Sequence, residues 1–182
     1  MRHLLLALPF ALLPALAAAH EHHGHASLGS HEHGSAELDA ALDGMSLEIE
    51  LRSPAMNLLG FEHAPRSNAD ERKVAETLAQ LQQPDALFSL PAEAQCKLDK
   101  ASLESPLFVE GGHDHERHET DTHSEVHAHY RYSCNAPDAL SGLDLKGLFK
   151  AFPGTERIRV QLIGPNGQQG KLLHAEQSQI TF

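Results

Sequence analysis

"HEHGSAELDAALDGMSLEIEL", His31 to Leu51, decides how the chain is built. Ala36, Leu38 and Ala40 alternate with Glu37, Asp39 and Ala41. Asp43-Gly44 follows, a dipeptide suited to a tight hairpin, and Leu47, Ile49 and Leu51 resume the alternation. Alternate residues of a strand point to opposite faces, so the pattern predicts two antiparallel strands over residues 33–42 and 46–52. Each would offer one apolar face to a core and one polar face to solvent.

Downstream, "SPAMNLLGFEHAP" is an apolar loop or short helical turn bounded by Pro54 and Pro65. "SNADERKVAETLAQLQQP" reads as a helix capped by Ser67 or Asn68, with Val74, Leu78 and Leu81 as its apolar stripe and Pro84 as its stop. A helical turn is expected at 85–89. "AQCKLDKASLES" reads as a strand entering a His-rich stretch, and "VHAHYRYSC" as a strand leaving it. "LKGLFKAF" is a short helix stopped by Pro153-Gly154. "ERIRVQLIG" is a strand, "PNGQQG" a turn, and "KLLHAEQSQITF" one or two further strands. The expected fold is α+β, a single domain with an antiparallel β-sheet, a few short helices and a disordered His-rich loop.

Upstream, Arg2 and His3 precede an apolar run from Leu4 to Leu16 and the small residues Ala17-Ala18-Ala19. Residues 1–19 are expected to be a secretory signal peptide, too short to span a bilayer and ending in A-x-A. With no Cys after the small residues, a lipid anchor is not expected, and no later stretch reaches membrane-spanning length. The exported domain then covers residues 20–182. Its compartment is oxidising, so Cys96 and Cys134, in no C-x-x-C, read as a structural disulfide fastening the strands that flank the His-rich stretch. Closing that loop is worth about 4 kcal/mol in the chain-entropy model. Two thiolate metal ligands are the alternative.

The chain carries a net charge of -11, 15 histidines and no Trp. That excludes a basic nucleic-acid surface and gives no stacking platform for sugars or bases. Histidine is concentrated in two tracts. Residues 20–30, "HEHHGHASLGS", form a flexible arm with no apolar period. Residues 111–126 form a flexible loop, in which His113, His115, His118 and His123 lie among acids at irregular spacing. Such segments wrap a cation in several ways and lose ordering entropy each time, so weak, fast-exchanging sites are expected there.

Two further pairs have regular spacing. His31 with His33, and His127 with His129, are each H-x-H, which places both rings on one face of a strand. On facing or neighbouring strands the two pairs would make a four-histidine shell, and His127 with His129 would carry the tightest site. A solvated strand face explains either pair alone equally well. Glu37 and Asp39 share the His33 face if the alternation holds, and a solvated face is the simpler reading of both. Glu62-His63 lies between apolar stretches: His63 is either a hydrogen-bonded structural residue or, with Glu62, part of a metal shell or its supporting layer. His174 is read as a surface residue. Imidazole suits Zn, Cu, Ni and Co. Met45 and Met56 stand apart, which argues against Cu(I), and no EF-hand loop is present. Zn2+ is the expected ion, although Cu(II) would bind such ligands more tightly in vitro.

Taken together, "HEHGSAEL", "LEIELRSPAMNLLGFEHAP", "VHAHYRYSC", "LFKAFP" and "RIRVQLIGPNGQQ" resemble the ZrgA-type family of periplasmic zinc-binding proteins. The resemblance spans most of the chain after residue 19. It implies a periplasmic accessory to zinc uptake, working with components of an ABC-type zinc importer, and no enzymatic activity. The His and Glu positions that match are those in "HEHG", "FEHAP" and "HAHY". Three other functions compete. A metal-dependent hydrolase would need an open metal position and a general base, and neither H-E-x-x-H nor G-x-S-x-G occurs. A pH sensor would share the titration of any His-rich metal site. A metal sink for detoxification would use the same ligands.

Overall fold

A computed structural model of the chain describes residues 32–108 and 124–182. The opening hairpin is formed by β1 (Ser35–Asp43) and β2 (Ser46–Pro54), which pair in register from Glu37↔Arg52 to Asp43↔Ser46. The turn uses Gly44 at φ 55, a left-handed conformation that glycine adopts without steric cost. After β2 come three helices, α1 (Ala55–Leu59), α2 (Asn68–Leu81) and α3 (Pro84–Leu87). The Ser67 hydroxyl accepts the Asp70 N–H and caps α2, the first of the two cap candidates. Two long strands follow, β3 (Cys96–Glu104) and β4 (Glu125–Cys134). The remainder is β5 (Gly142–Asp144), α4 (Lys146–Ala151), β6 (Arg157–Gly164), β7 (Gly167–His174) and β8 (Gln179–Thr181).

Six strands form one sheet in the order β3-β4-β2-β1-β6-β7, and β5 with β8 makes a small ribbon. The large sheet corrects the expectation of an antiparallel one. β1 pairs with β6 in parallel, from Ser35↔Arg157 to Ala41↔Ile163, so the sheet is mixed. Alternation sets which face of a strand is buried but does not name its second neighbour. The long connection through α4 returns β6 beside β1 in the same direction, which a hairpin could not do.

One face of the sheet is the core. Leu38, Ile49, Leu51, Tyr130, Val160 and Leu162 are buried, and Leu81, Leu87, Leu148 and Phe152 join them from the helices. Tyr130 donates to the Leu81 carbonyl of α2 at 2.9 Å and meets the Phe88 ring edge-on, which satisfies its hydroxyl inside an apolar layer. Cys96 and Cys134 are joined by a disulfide and stand opposite each other on β3 and β4, so the bond fastens the two strands that flank residues 109–123. The opposite face of the sheet is polar. Among the described residues no helix is long and apolar enough to cross a membrane.

Candidate metal centre

The described ligand-type residues gather in two places, a corner at one end of the sheet and a ridge on its polar face. The corner begins just before β1. His33 lies in a turn and not on the strand, because Gly34 takes φ 81 and redirects the chain. A Cβ at Gly34 would also press on the Glu156 side chain at 3.0 Å. The premise that residues 31 and 33 share a strand face therefore fails at His33. Asn57, buried on α1, holds the turn: its carbonyl oxygen accepts the Gly34 N–H at 2.7 Å, and its amide donates to Ser35 O at 2.9 Å and Ser53 Oγ at 3.1 Å. Next to His33, Glu32 pairs with Arg157, whose guanidinium holds the Glu32 carboxyl below its ordinary pKa.

Anchored in this way, His33 presents Nε2 to Glu62 Oε1 at 3.3 Å. The Glu62 side chain is only 14% exposed, unusual for a carboxylate and costly unless a cation or donors face it. Its own carbonyl accepts the Ser124 hydroxyl at 2.9 Å, and the Ser124 carbonyl accepts Ala55 N–H at 2.8 Å. Ser124 directly follows His123 in the chain. The corner is thus where the turn before β1, the segment after α1 and the return from residues 109–123 meet. His63 does not join Glu62 here. Its ring stacks on Phe61, its Nδ1 contacts the Ala64 carbonyl at 2.9 Å, and its charge is among the influences that lower the Asp70 pKa, after the Arg66 N–H.

The ridge is β4. Its apolar residues, Val126, Ala128, Tyr130 and Tyr132, enter the core, so Glu125, His127, His129 and Arg131 line the polar face together. His127 and His129 do share one strand face, as their spacing predicts. His127 Nε2 lies 3.1 Å from Glu125 and His129 Nε2 3.6 Å from Glu48. Strand register sets the other neighbours: Arg52 and Glu104 stand opposite His127, and Glu50 and Ser102 opposite His129. Arg52 is claimed by Asp39 at 2.8 Å, Glu50 at 3.1 Å and Glu37 at 3.3 Å. Burial alone would pull its pKa down, but the hydrogen bonds with these carboxylates prevail and raise it. Glu37 and Asp39 are therefore partners of Arg52, on the polar face and not beside His33.

The anticipated four-histidine shell does not assemble from the described residues. β1 and β4 are not neighbours, since β2 lies between them, and His33 reaches a different carboxylate from either ridge histidine. Among the described residues no three His, Cys, Asp or Glu side chains are gathered to hold a metal ion. His31, His113, His115, His118 and His123 lie outside the described residues, as do the arm at 20–30 and nearly all of the loop at 111–126. His174 is exposed at the end of β7, with Nδ1 3.3 Å from the Glu156 carbonyl.

Asn57, Ser124, Glu48, Glu104 and Glu125 enter these sites without having been singled out from sequence. Asn57 had one signal, a polar side chain inside "AMNLL", which needs buried partners. The others depend on strand register, which the sequence pattern does not supply.

A family model for the ZrgA family of zinc uptake proteins matches residues 30–182. The chain belongs to the ZrgA family. The match takes in the corner, both flanks of residues 109–123 and the ridge. No curated protein matches the chain.

Proposed function

We propose that this ZrgA-family chain is a periplasmic zinc-binding protein that captures Zn2+ and hands it on to an ABC-type importer, acting as a carrier and not as an enzyme. The observation that carries the reading is the His33–Glu62 pair, a mostly buried carboxylate facing an imidazole at the point where the chain returns from its His-rich segment. Imidazole and carboxylate are ligands suited to zinc, and a carboxylate shielded from water favours a divalent cation more than an exposed one does. In this reading Glu62 and His33 form the rigid half of a tight site, and nearby sequence histidines, His31 and His123 first, supply the rest. His113, His115 and His118, with the arm at 20–30, act as weak collectors. Residues 1–19 direct export and are then removed.

A competitive zinc titration of residues 20–182 at neutral pH, checked by metal analysis, tests the reading. One tight equivalent is expected, together with weaker ones. Glu62→Gln should lower the affinity of the tight equivalent by at least about tenfold. If Glu62→Gln binds zinc as the unaltered protein does, the corner is not the tight site. Sequestration without delivery uses the same ligands; induction of the protein by zinc starvation supports uptake, and induction by zinc excess supports detoxification.

A further inference from the structure

We infer that the chain pairs with a second copy of itself along the free edge of β7, antiparallel about a two-fold axis at Gly170, so that two sheets join into one. The inference does not depend on zinc. It adds an interaction surface at the end of the sheet away from the ridge.

The two outer strands of the sheet, β3 and β7, are built differently. An outer strand presents backbone N–H and C=O groups to any extended chain, and proteins guard such edges with charge, bulges or cover. β3 is guarded by Lys97, Asp99, Lys100 and Glu104, by a bulge between Leu98 and Lys100, and by its disulfide to β4. β7, GQQGKLLH, has Lys171 and its terminal His174, and the Lys171 ammonium is drawn aside to the Gln179 carbonyl at 3.0 Å. Residues 167–172 are exposed, and among the described residues no backbone group outside β6 bonds to them. Antiparallel pairing uses the backbone of alternate residues, and Gly164 and Gly167 close the hairpin, so Gln168, Gly170 and Leu172 turn theirs outward.

The edge is complementary to itself. Self-pairing centred on Gly170 sets Gln168 opposite Leu172 and Gln169 opposite Lys171 of the other copy, so no like charges meet. Leu172 then lies diagonal to the other copy's Gly170, where no side chain obstructs it. Leu172 and Ile163 are 47% and 51% exposed, and both lie on the polar face of β6 and β7. Joining the edges puts Leu172 in one cross-strand row with Ile163 of the second copy, Gln168 of that copy between them. The shared edge is short, so the dimer is a weak one.

The test is sedimentation equilibrium of residues 20–182 from micromolar to millimolar concentration, with a chelator present so that no metal bridges chains. Salt at about 0.15 M screens the repulsion between two acidic chains. The unaltered chain should show a monomer–dimer equilibrium in that range. A Cβ at Gly170 would meet only the Val160 carbonyl, at 3.7 Å, so the fold accepts a side chain there. Gly170→Asp and Gly170→Lys each set like charges opposite one another at the axis and should weaken pairing at least about fivefold. An equal mixture of the two variants sets opposite charges there and should pair at least as well as the unaltered chain. Lys100→Gln, on the other edge, should change nothing. Thermal unfolding of each variant checks the fold, and recovery on mixing does so independently. A chain that stays monomeric to millimolar concentration overturns the inference. So does a dimer that Gly170→Asp leaves intact, that the mixture fails to restore, or that Lys100→Gln disrupts. Each of these results leaves the zinc reading standing.

Discussion

The corner at Glu62 and the ridge of His127 and His129 use the same two ligand types and differ in what surrounds them. At the corner the carboxylate is mostly buried, and the backbone beside the imidazole is pinned by Asn57 and Gly34. On the ridge the rings stand on an open sheet face, with acids and two arginines, Arg52 and Arg131, around them. Burial strengthens each charge interaction and fixes geometry; exposure weakens it and lets partners exchange. If both places take an ion, the corner should hold it longer than the ridge.

The largest expected effect comes from removing the disulfide. Cys96→Ser with Cys134→Ser should cost about 4 kcal/mol in chemical denaturation, the chain-entropy value for a loop of this size. Because the bond ties β3 to β4, zinc should weaken at the ridge more than at the corner. Equal losses at both would show that the two places are not independent.

Asn57→Ala should come next, at about 2 kcal/mol or more, since it leaves the buried Gly34 N–H without its acceptor and the Ser35 carbonyl without its donor. Here the corner should lose zinc affinity and the ridge should not, the reverse of the disulfide result. Arg52→Gln sharpens the contrast on the other side. Removing the guanidinium takes a positive charge from beside His127 and releases Glu50, so ridge affinity should rise a few-fold in the same titration.

The smallest effect serves as a control far from either cluster. Burial would raise the Asp144 pKa, but the side chains of Gln179 and Ser178 and the Lys146 N–H hold it below the ordinary 3.8. A carboxyl with a lowered folded pKa stabilises fully above its unfolded value, and that contribution is lost as pH falls through the folded one. Asp144→Asn should therefore flatten the acid limb of the stability curve below about pH 4, by at most about 1 kcal/mol given solvent screening, and leave zinc binding unchanged.

What could be read from sequence follows what has a local period. The hairpin, the capped helix α2, the disulfide partners and the shared face of His127 and His129 all depend on residues near one another or on compartment chemistry. The parallel partner of β1 does not, because Ala36, Leu38 and Ala40 bury equally well beside any strand. Alternation alone would carry the strand back to His33, but Gly34 at φ 81 ends it first. Glu104 could not be matched to His127 until the register of β3 on β4 was known, and the bulge near Leu98 shifts that register partway along.

The central position of β1 has a consequence in time. Its outer neighbour β6 lies far along the chain, with Glu37 and Arg159 separated by 122 residues. The middle of the sheet stays open on one side until the last third of the polypeptide is available. Contacts so distant in sequence slow folding. The strand made early, β1, therefore cannot complete its sheet until β6 has been made.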